Sequence, residues 1–150
     1  MRRFSLAVAT SATVLLVTAA EGGATSAHRA ALKPPVIRES FTPLPCGGTP
    51  TNRTTVQQEG CAEQQILRTD NTINSLNKTI FARLRDDPAR RRFIAAHKAW
   101  LAYRRAYCLS LSDVFQGGSQ APVLDAQCAG RLNGQHIKDL RQFASDVGAR

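Results

Sequence analysis

The feature that most constrains the fold of this chain is one helical stretch, residues 87–108, which reads DPARRRFIAAHKAWLAYRRAYC. It contains the only Trp, both Tyr and one of the four Cys residues of the chain. Asp87 is a suitable N-cap, and Pro88 then falls at the first helical position, where its missing N–H costs nothing. The stretch therefore predicts a long helix that begins abruptly at Asp87.

One face of this helix is apolar, with two exceptions. Phe93, Trp100 and Tyr107 fall on one line at 100° per residue, and His97 and Arg104 lie in the middle of the same face. A charge in an apolar stripe requires a compensating partner. We expect Arg104 to lay its stem over Trp100 and pair with an acid, with ligand binding as the alternative. For His97 we expect a satisfied core or boundary histidine.

The remaining cations of this stretch point away from the centre of the apolar stripe. These cations are explained by a basic helix face that contacts solvent. The more specific alternative is a surface that binds polyanions. The residues of this predicted polyanion face are Arg90, Arg91, Arg92, Lys98 and Arg105.

Two further helices complete the prediction. The first runs from about Thr55 to Arg85, and the turn before Pro88 is so short that the next helix should be its antiparallel neighbour. The last begins near residues 125–128 and reaches about Val147. Gly60 is a weak point near the start of the first helix, where it could mark a slight shift of the N-terminus, and Gly134 should weaken the last helix by about 1 kcal/mol relative to Ala. Apolar residues recur at helical spacing in both helices: Ile66, Ile73, Leu76, Ile80 and Leu84 in the first, and Leu132, His136, Leu140, Phe143 and Val147 in the last.

No segment shows the alternation of a strand, so the sequence predicts an all-α fold. We expect a small antiparallel three-helix bundle preceded by an irregular Pro-rich leader. Residues 109–127 should form a long connection centred on Gly117, Gly118 and Ser119. Such loops are often functional, although a simple turn between two packed arms is the alternative.

The N-terminal segment predicts export. Residues 1–27 combine a basic start, an apolar run of about 16 residues and small residues at possible cleavage sites, which is typical of a signal peptide; a membrane anchor is the alternative. Residues 28–53 would then be the leader, partly mobile up to Cys46, and residues 54–147 the helical domain. We expect a secreted or periplasmic protein with no membrane-spanning segment after cleavage.

The four Cys residues are expected to form two disulfides, because exported proteins meet an oxidising compartment. Spacings of 15, 47 and 20 residues contain no CxxC pair, which argues against a metal site. All four thiols should gather at one end of the bundle. Sequence leaves the pairing open, but the shorter loops favour Cys46–Cys61 and Cys108–Cys128, each contributing about 3 kcal/mol.

Charge and motif content narrow the class of function. The formal net charge is +9, which predicts attraction to polyanions such as anionic lipid or cell-wall polymers, without a dedicated nucleic-acid site. No catalytic triad spacing, metal-ligand spacing or phosphate loop is present in the sequence. We therefore expect a binding protein without a cofactor rather than an enzyme.

A set of motifs resembles the LprI-type lysozyme-inhibitor family of small exported helical proteins. The resemblance rests on Ala96-His97-x-Ala99-Trp100-x-x-Tyr103-Arg104-x-x-x-Cys108, the Gly-Gly-Ser sequence, Cys128, and the upstream elements Cys61 and Asp70-x-x-Ile73-Asn74. It covers roughly residues 46–140. His97 and Arg105 stand where the family usually has Gln and Asp.

The resemblance implies that the chain binds lysozyme. Lysozyme acts through two carboxyl groups in an open cleft, so an inhibitor needs a rigid protrusion that carries hydrogen-bond donors. The loop of Gly117, Gly118 and Ser119 is the candidate for this role, and Asp113 and Asp125 would supply a local acidic patch toward a basic enzyme.

Overall fold

The computed structural model describes residues 31–115 and 117–149. The predicted signal peptide, residues 1–27, and residues 28–30 of the predicted leader lie outside the described residues. The described chain contains helix α1, Thr55–Arg83, helix α2, Asp87–Ser112, a short 3₁₀ turn at Asp113–Phe115, and helix α3, Ala121–Gly148. None of its residues forms a strand. The predicted all-α bundle is confirmed, and no helix of the described residues is long and apolar enough to cross a membrane.

Both predicted helix starts in the first half of the fold rest on side-chain caps. Thr54 precedes α1 and forms a capping box with Gln57, in which each side chain bonds the other residue's backbone N–H. At α2 the predicted cap is wrong by one residue. Asp86 is the N-cap and accepts from the backbone N–H of Ala89 at 2.7 Å. Asp87 is therefore inside the first turn, where its charge suits the helix dipole.

The connection between α2 and α3 is much shorter than the predicted loop of residues 109–127. Helix α2 continues to Ser112, and α3 begins at Ala121, with Pro122 inside its first turn. Proline is compatible with that position because the first N–H groups of a helix have no intrahelical partner. The predicted start near residues 125–128 is therefore too late by at least four residues.

Helix α3 lies against both other helices, whereas the backbones of α1 and α2 rarely approach each other. The short connection predicted α2 to be the antiparallel neighbour of α1, but α3 packs against each of them more extensively than they pack against each other. The difference arises because the leader inserts Ile37 into the core beside Ile73 of α1 and Phe93 of α2. Full burial of a side chain of this size contributes about 1.5–3 kcal/mol.

The leader is attached to α1 along its length. The Asn74 side chain accepts from the backbone N–H of Ile37 at 2.7 Å and donates to its carbonyl at 3.0 Å. Glu63 accepts from the backbone N–H of Leu44 at 2.7 Å. Residues 31–53 contain neither helix nor strand, as expected, but the expectation of a mobile leader does not fit these contacts.

Gly60 lies where the leader backbone crosses α1, a role that its sequence context did not indicate. A Cβ atom at this position would lie 2.5 Å from the carbonyl oxygen of Leu44 and 2.7 Å from that of Pro45. Only a glycine therefore lets the leader backbone lie directly on α1. The position described above as a weak point of the helix is the point where the leader crosses it.

The disulfides join Cys46 to Cys61 and Cys108 to Cys128, the two shortest loops that the four Cys residues allow. Cys61 lines a small cavity together with Gln127, the neighbour of Cys128. Both disulfides therefore lie near the same end of the bundle. One ties the leader to α1, and the other ties α2 to α3.

Candidate functional site

Arg104 is the centre of a buried polar network that joins every segment of the fold. Its Nη1 atom donates to Asp70 Oδ1 of α1 at 3.0 Å and to Asn133 Oδ1 of α3 at 2.8 Å. Its Nη2 atom donates to Glu39 of the leader. We call these four residues, Glu39, Asp70, Arg104 and Asn133, the Arg104 cluster.

The cluster is closed by further hydrogen bonds. Asn133 Nδ2 donates to Asp70 Oδ1 and to the hydroxyl of Thr69, both at 2.8 Å. The guanidinium carbon of Arg104 lies 5.4 Å from the ring centroid of Trp100, so the cation covers the aromatic face. The expectation that Arg104 covers Trp100 and pairs with an acid therefore agrees with the structure. Two acids pair with it instead of one.

The pKa of Asp70 is raised within the Arg104 cluster. Burial raises its pKa, the neighbouring Arg104 cation opposes this, and Glu39 raises the pKa further. Its Oδ2 atom is buried without a hydrogen-bond partner. One guanidinium thus faces two carboxylates in a poorly hydrated site, and a proton on Asp70 would reduce the excess of negative charge.

A second buried network lies beside the first. Asn77 is fully buried and its Nδ2 atom lies 3.3 Å from both the carbonyl oxygen of Pro35 and Nδ1 of His97. His136 of α3 stacks on Trp100 with ring centroids 3.9 Å apart. His97 is a core histidine as expected, but only its Nδ1 atom has a partner, since Nε2 is buried and unpartnered.

The turn between α2 and α3 is a tight, exposed structure. Gly117 has φ +78°, a conformation that favours glycine, and the N–H of Gly118 donates to Phe115 O at 2.9 Å. The N–H of Ala121 donates to Gly118 O at 2.9 Å. We call residues 113–115 and 117–119 the α2–α3 tip.

The structure separates the residues that were predicted to act together at this turn. Gly117, Gly118, Ser119 and Asp113 are all exposed on the α2–α3 tip. Asp125 lies one turn into α3 and lines a groove of about 770 Å³ together with Arg104, away from the tip. Burial raises the pKa of Asp125, and Arg104 opposes that shift.

The predicted polyanion face is also divided. Arg90 is half-buried with its guanidinium 5.4 Å from the Phe81 ring centroid, and both Arg90 and Arg91 lie within 3.9 Å of the Asp87 carboxylate. Lys98 and Arg105 are exposed and form no ion pair with an acid of the described residues. The same holds for Arg92, which lies on another side of the helix.

Comparison with known proteins gives one match. The model of the family described as lysozyme inhibitor LprI matches residues 46–140, almost two thirds of the chain. The chain belongs to the LprI family. No curated protein and no solved structure matches it.

The LprI match includes three members of the Arg104 cluster, and it also includes Asn74, another α1 residue on which the resemblance rests. Asp70 is in the cluster, while Asn74 holds the leader through Ile37. Glu39 precedes the matched residues, so this chain completes the cluster from its leader. Tyr103 is exposed and stacks on Tyr107 at 5.6 Å. The predicted core position of Tyr107 is wrong, because its side chain is 42% exposed.

Sequence reasoning missed Glu39, Thr69, Asn77 and Asn133. Asn77 and Asn133 are fully buried, and each falls on the inner face of an amphipathic helix. A polar residue within an apolar stripe is the signal that could have identified them, as it did for Arg104. Glu39 had no such signal, since it lies in a segment without periodicity.

Acid should destabilise the protein through His136. Burial and the nearby His97 lower the pKa of His136 to about 4, while Asp139 opposes the shift. The unfolded chain binds this proton near pH 6.5, so the stability is present above pH 6.5 and is lost as the pH falls toward 4. We expect His136→Gln to lose less free energy of unfolding between pH 7 and 4.5 than the parent, by on the order of 2 kcal/mol.

The Asp70→Asn variant is the matched comparison, because Asp70 acts in the opposite direction. Its pKa is raised, so its contribution is present below its unfolded value of about 3.9 and is lost as the pH rises. Asp70→Asn should therefore lose more free energy on acidification than the parent. Urea unfolding at pH 7 and 4.5 measures both differences, and equal pH dependence in all three proteins would contradict these assignments.

Proposed function

We propose that this protein binds a lysozyme and obstructs its substrate cleft with the α2–α3 tip. The LprI family supports lysozyme as the partner. The observation that carries the choice of surface is an exposed apolar pair at the tip: Val114 is 71% exposed and Phe115 is 47% exposed. Binding without catalysis is the activity that we assign, and the two disulfides fit export to an oxidising compartment.

The apolar pair suits a binding role for energetic reasons. Large apolar side chains gain about 1.5–3 kcal/mol when a partner buries them fully. Aromatic residues at the centre of an interface are frequent sources of binding energy. Val114 and Phe115 are consecutive residues of the 3₁₀ turn, and both side chains are available to a partner that contacts this turn.

Covalent and hydrogen bonds hold the described residues of the tip in place in the unbound protein. The Cys108–Cys128 disulfide joins α2 to α3 with Cα atoms 5.5 Å apart, about one helical turn before the end of α2 and two turns after the start of α3. The turn itself is closed by the hydrogen bonds from Gly118 and Ala121. A rigid binding element loses little conformational entropy on association, which is the main cost that an inhibitory loop has to limit.

The donors available at the tip differ from those that the sequence suggested. The N–H groups of Gly118 and Ala121 are engaged within the turn. The exposed hydroxyl of Ser119 is therefore the side-chain donor that we assign to the lysozyme carboxyl groups. Asp113, also exposed at the tip, offers a carboxylate to a basic enzyme whose long-range field would repel this basic chain.

Substitutions at the tip should reduce inhibition of cell-wall lysis without unfolding the protein. We expect Phe115→Ala to raise the inhibition constant by about 10-fold or more, given an apolar contribution of 1.5–3 kcal/mol. Ser119→Trp should abolish inhibition by blocking close approach. The assay is lysis by c-, g- and i-type lysozymes at two salt concentrations.

Val56→Ser is the matched control for a Val114→Ser variant, because both valines are more than half exposed but Val56 lies in the first turn of α1. Only Val114→Ser should weaken inhibition. Equal effects of both substitutions, or unchanged inhibition by Ser119→Trp, would exclude the tip. Failure of the parent protein to inhibit any of the three lysozyme types would exclude lysozyme as the partner.

A second candidate function, binding of anionic envelope polymers, is favoured by Lys98 and Arg105. They lie seven residues apart on one line of α2 and have no acidic partner among the described residues. This function predicts retention on an anionic polymer that falls steeply with salt and falls again in a Lys98→Glu, Arg105→Glu variant. Retention that does not depend on salt concentration would exclude binding of anionic polymers as the function. Lysozyme inhibition by the same variant separates the two functions.

A further inference from the structure

Exposed apolar side chains are concentrated at one end of α2. Nine large apolar side chains of the described residues are 36–71% exposed, and six of them lie between residues 103 and 115. Single exposed apolar residues are normal on a protein surface, whereas a continuous group of them indicates a binding surface. The tip explains two of these six, Val114 and Phe115, and leaves four on α2.

Four of the six side chains form a row that leads along α2 into the tip. Tyr103, Tyr107 and Leu111 recur every four residues, which places them on one side of the helix. The rings of Tyr103 and Tyr107 stack with centroids 5.6 Å apart. Val114 follows Leu111 by three residues in the 3₁₀ turn, where residues three apart align. We call Tyr103, Tyr107, Leu111 and Val114 the α2 row, which is about 16 Å long.

An exposed cation lies beside the α2 row. The guanidinium of Arg131 on α3 lies 5.9 Å from the ring centroid of Tyr107, and it forms no ion pair with an acid of the described residues. The sequence of α2 contains no acid from Pro88 to Ser112. Tyr and Arg are the residue types enriched at the centre of protein–protein interfaces, so the composition of this surface suits a protein partner.

The tip alone is too small to hold a protein partner specifically. A stable protein–protein interface uses about 20–30 residues of each partner, or roughly 800 Å² per side. The tip contributes six described residues. A partner seated on the tip must therefore contact more of this chain, and the α2 row continues the tip without a gap because Val114 belongs to both.

We propose that a lysozyme bound at the tip also covers the α2 row, and that Arg131 pairs with a carboxylate of the enzyme at its cleft. This inference rests on the lysozyme function proposed above and extends the binding surface from the tip to Tyr103. Lysozyme has two carboxyl groups in its cleft, so a cation beside the docked surface is complementary to it.

A second copy of this chain does not fit the α2 row. A symmetric dimer brings the same surface of both subunits together. Arg131 would then face a helix that carries no acid from Pro88 to Ser112, together with the Arg131 of the other copy. Like charges that meet at an interface oppose binding.

Nitration by tetranitromethane tests whether lysozyme covers the row, because Tyr103 and Tyr107 are the only tyrosines of the chain. Both are exposed, so both should be nitrated in the free protein. We expect a lysozyme that the parent protein inhibits to slow nitration of each by about fivefold or more, measured by mass spectrometry of their peptides. The Phe115→Ala variant should lose this protection at the same concentrations.

Substitutions in the row should weaken inhibition while the protein stays folded. We expect Tyr103→Ala, Tyr107→Ala and Leu111→Ser each to raise the inhibition constant by about fivefold or more. Val36→Ser is the matched control for Leu111→Ser, because Val36 is 51% exposed but lines the groove beside Arg104. It should leave inhibition unchanged. Far-UV circular dichroism checks that all four variants are folded.

The role of Arg131 is tested by Arg131→Gln against Arg141→Gln. Both remove one positive charge from an exposed position of α3, so their long-range effects on a basic enzyme are similar. Arg131→Gln should weaken inhibition by about threefold at low salt and by less at high salt, because salt screens a pair at the rim of an interface. Arg141→Gln should leave inhibition unchanged or strengthen it.

Failure of this inference is distinguishable from failure of the proposed function. If Phe115→Ala weakens inhibition but the row variants and nitration do not respond, the lysozyme function stands and the α2 row is no part of it. Protection of both tyrosines by vesicles of anionic lipid, but not by lysozyme, would also overturn the inference. If the parent inhibits no lysozyme, the proposed function and this inference fall together.

Discussion

Replacing Arg104 with methionine should lower the free energy of unfolding by roughly 3–5 kcal/mol at pH 7. The substitution keeps most of the stem that covers Trp100 but leaves Asp70 and Glu39 without their cation. Removing one partner from a buried ion pair is strongly destabilising because the other charge remains buried and uncompensated. Urea unfolding followed by far-UV circular dichroism measures the loss.

Arg105→Met is the matched control, because it removes an exposed arginine from the next position of the same helix. It should change stability by no more than about 0.5 kcal/mol. An Arg104→Met, Glu39→Gln double variant should be more stable than the sum of the single losses predicts, since it removes one of the two unpaired acids. Similar losses for Arg104→Met and Arg105→Met would contradict the central role of the Arg104 cluster.

Replacing Gly60 with alanine should lower the free energy of unfolding by about 1–3 kcal/mol, although alanine is the better helix former. The new Cβ would meet backbone atoms of Leu44 and Pro45 rather than a movable side chain. The leader must therefore move away from α1, which weakens the hydrogen bond from the backbone N–H of Leu44 to Glu63. Faster proteolysis of the leader, compared with the parent, would accompany the loss.

Gly134→Ala tests the opposite sign with the same chemical change. Gly134 lies inside α3, and a Cβ atom there would meet nothing within 4 Å. Alanine should therefore raise the free energy of unfolding by about 0.5–1 kcal/mol. If Gly60→Ala also stabilised the protein, the close approach of the leader to α1 would not exist in solution.

These predictions separate the scaffold of the protein from its proposed binding surface. The Arg104 cluster is largely buried and, together with Ile37 of the leader, holds the segments of the fold together. The residues proposed to meet a partner are exposed at the α2–α3 tip. Variants of the cluster should therefore change stability first, and variants of the tip should change inhibition at constant stability.

The three helices, their approximate limits and the placement of Arg104 in an apolar face followed from the sequence. These features depend on local periodicity and capping, and such signals operate over a few residues. The predicted limits of the α2–α3 connection were wrong because the same residues are compatible with either a loop or a helix start. Pro122 and the Gly-Gly-Ser sequence predicted a long loop, but the proline fits the first turn of α3 and the glycines are needed only for a tight turn.

The sequence by itself determined that this chain forms a disulfide-linked, all-α bundle of the LprI family. Only the tertiary structure decided that the leader belongs to the core, that Glu39 and Asn133 complete the site of Arg104, and that Gly60 is a crossing point. The contacts of Arg104 and Gly60 join residues 15–65 positions apart. No periodic pattern specifies such pairs, because they depend on which faces meet after the helices have packed.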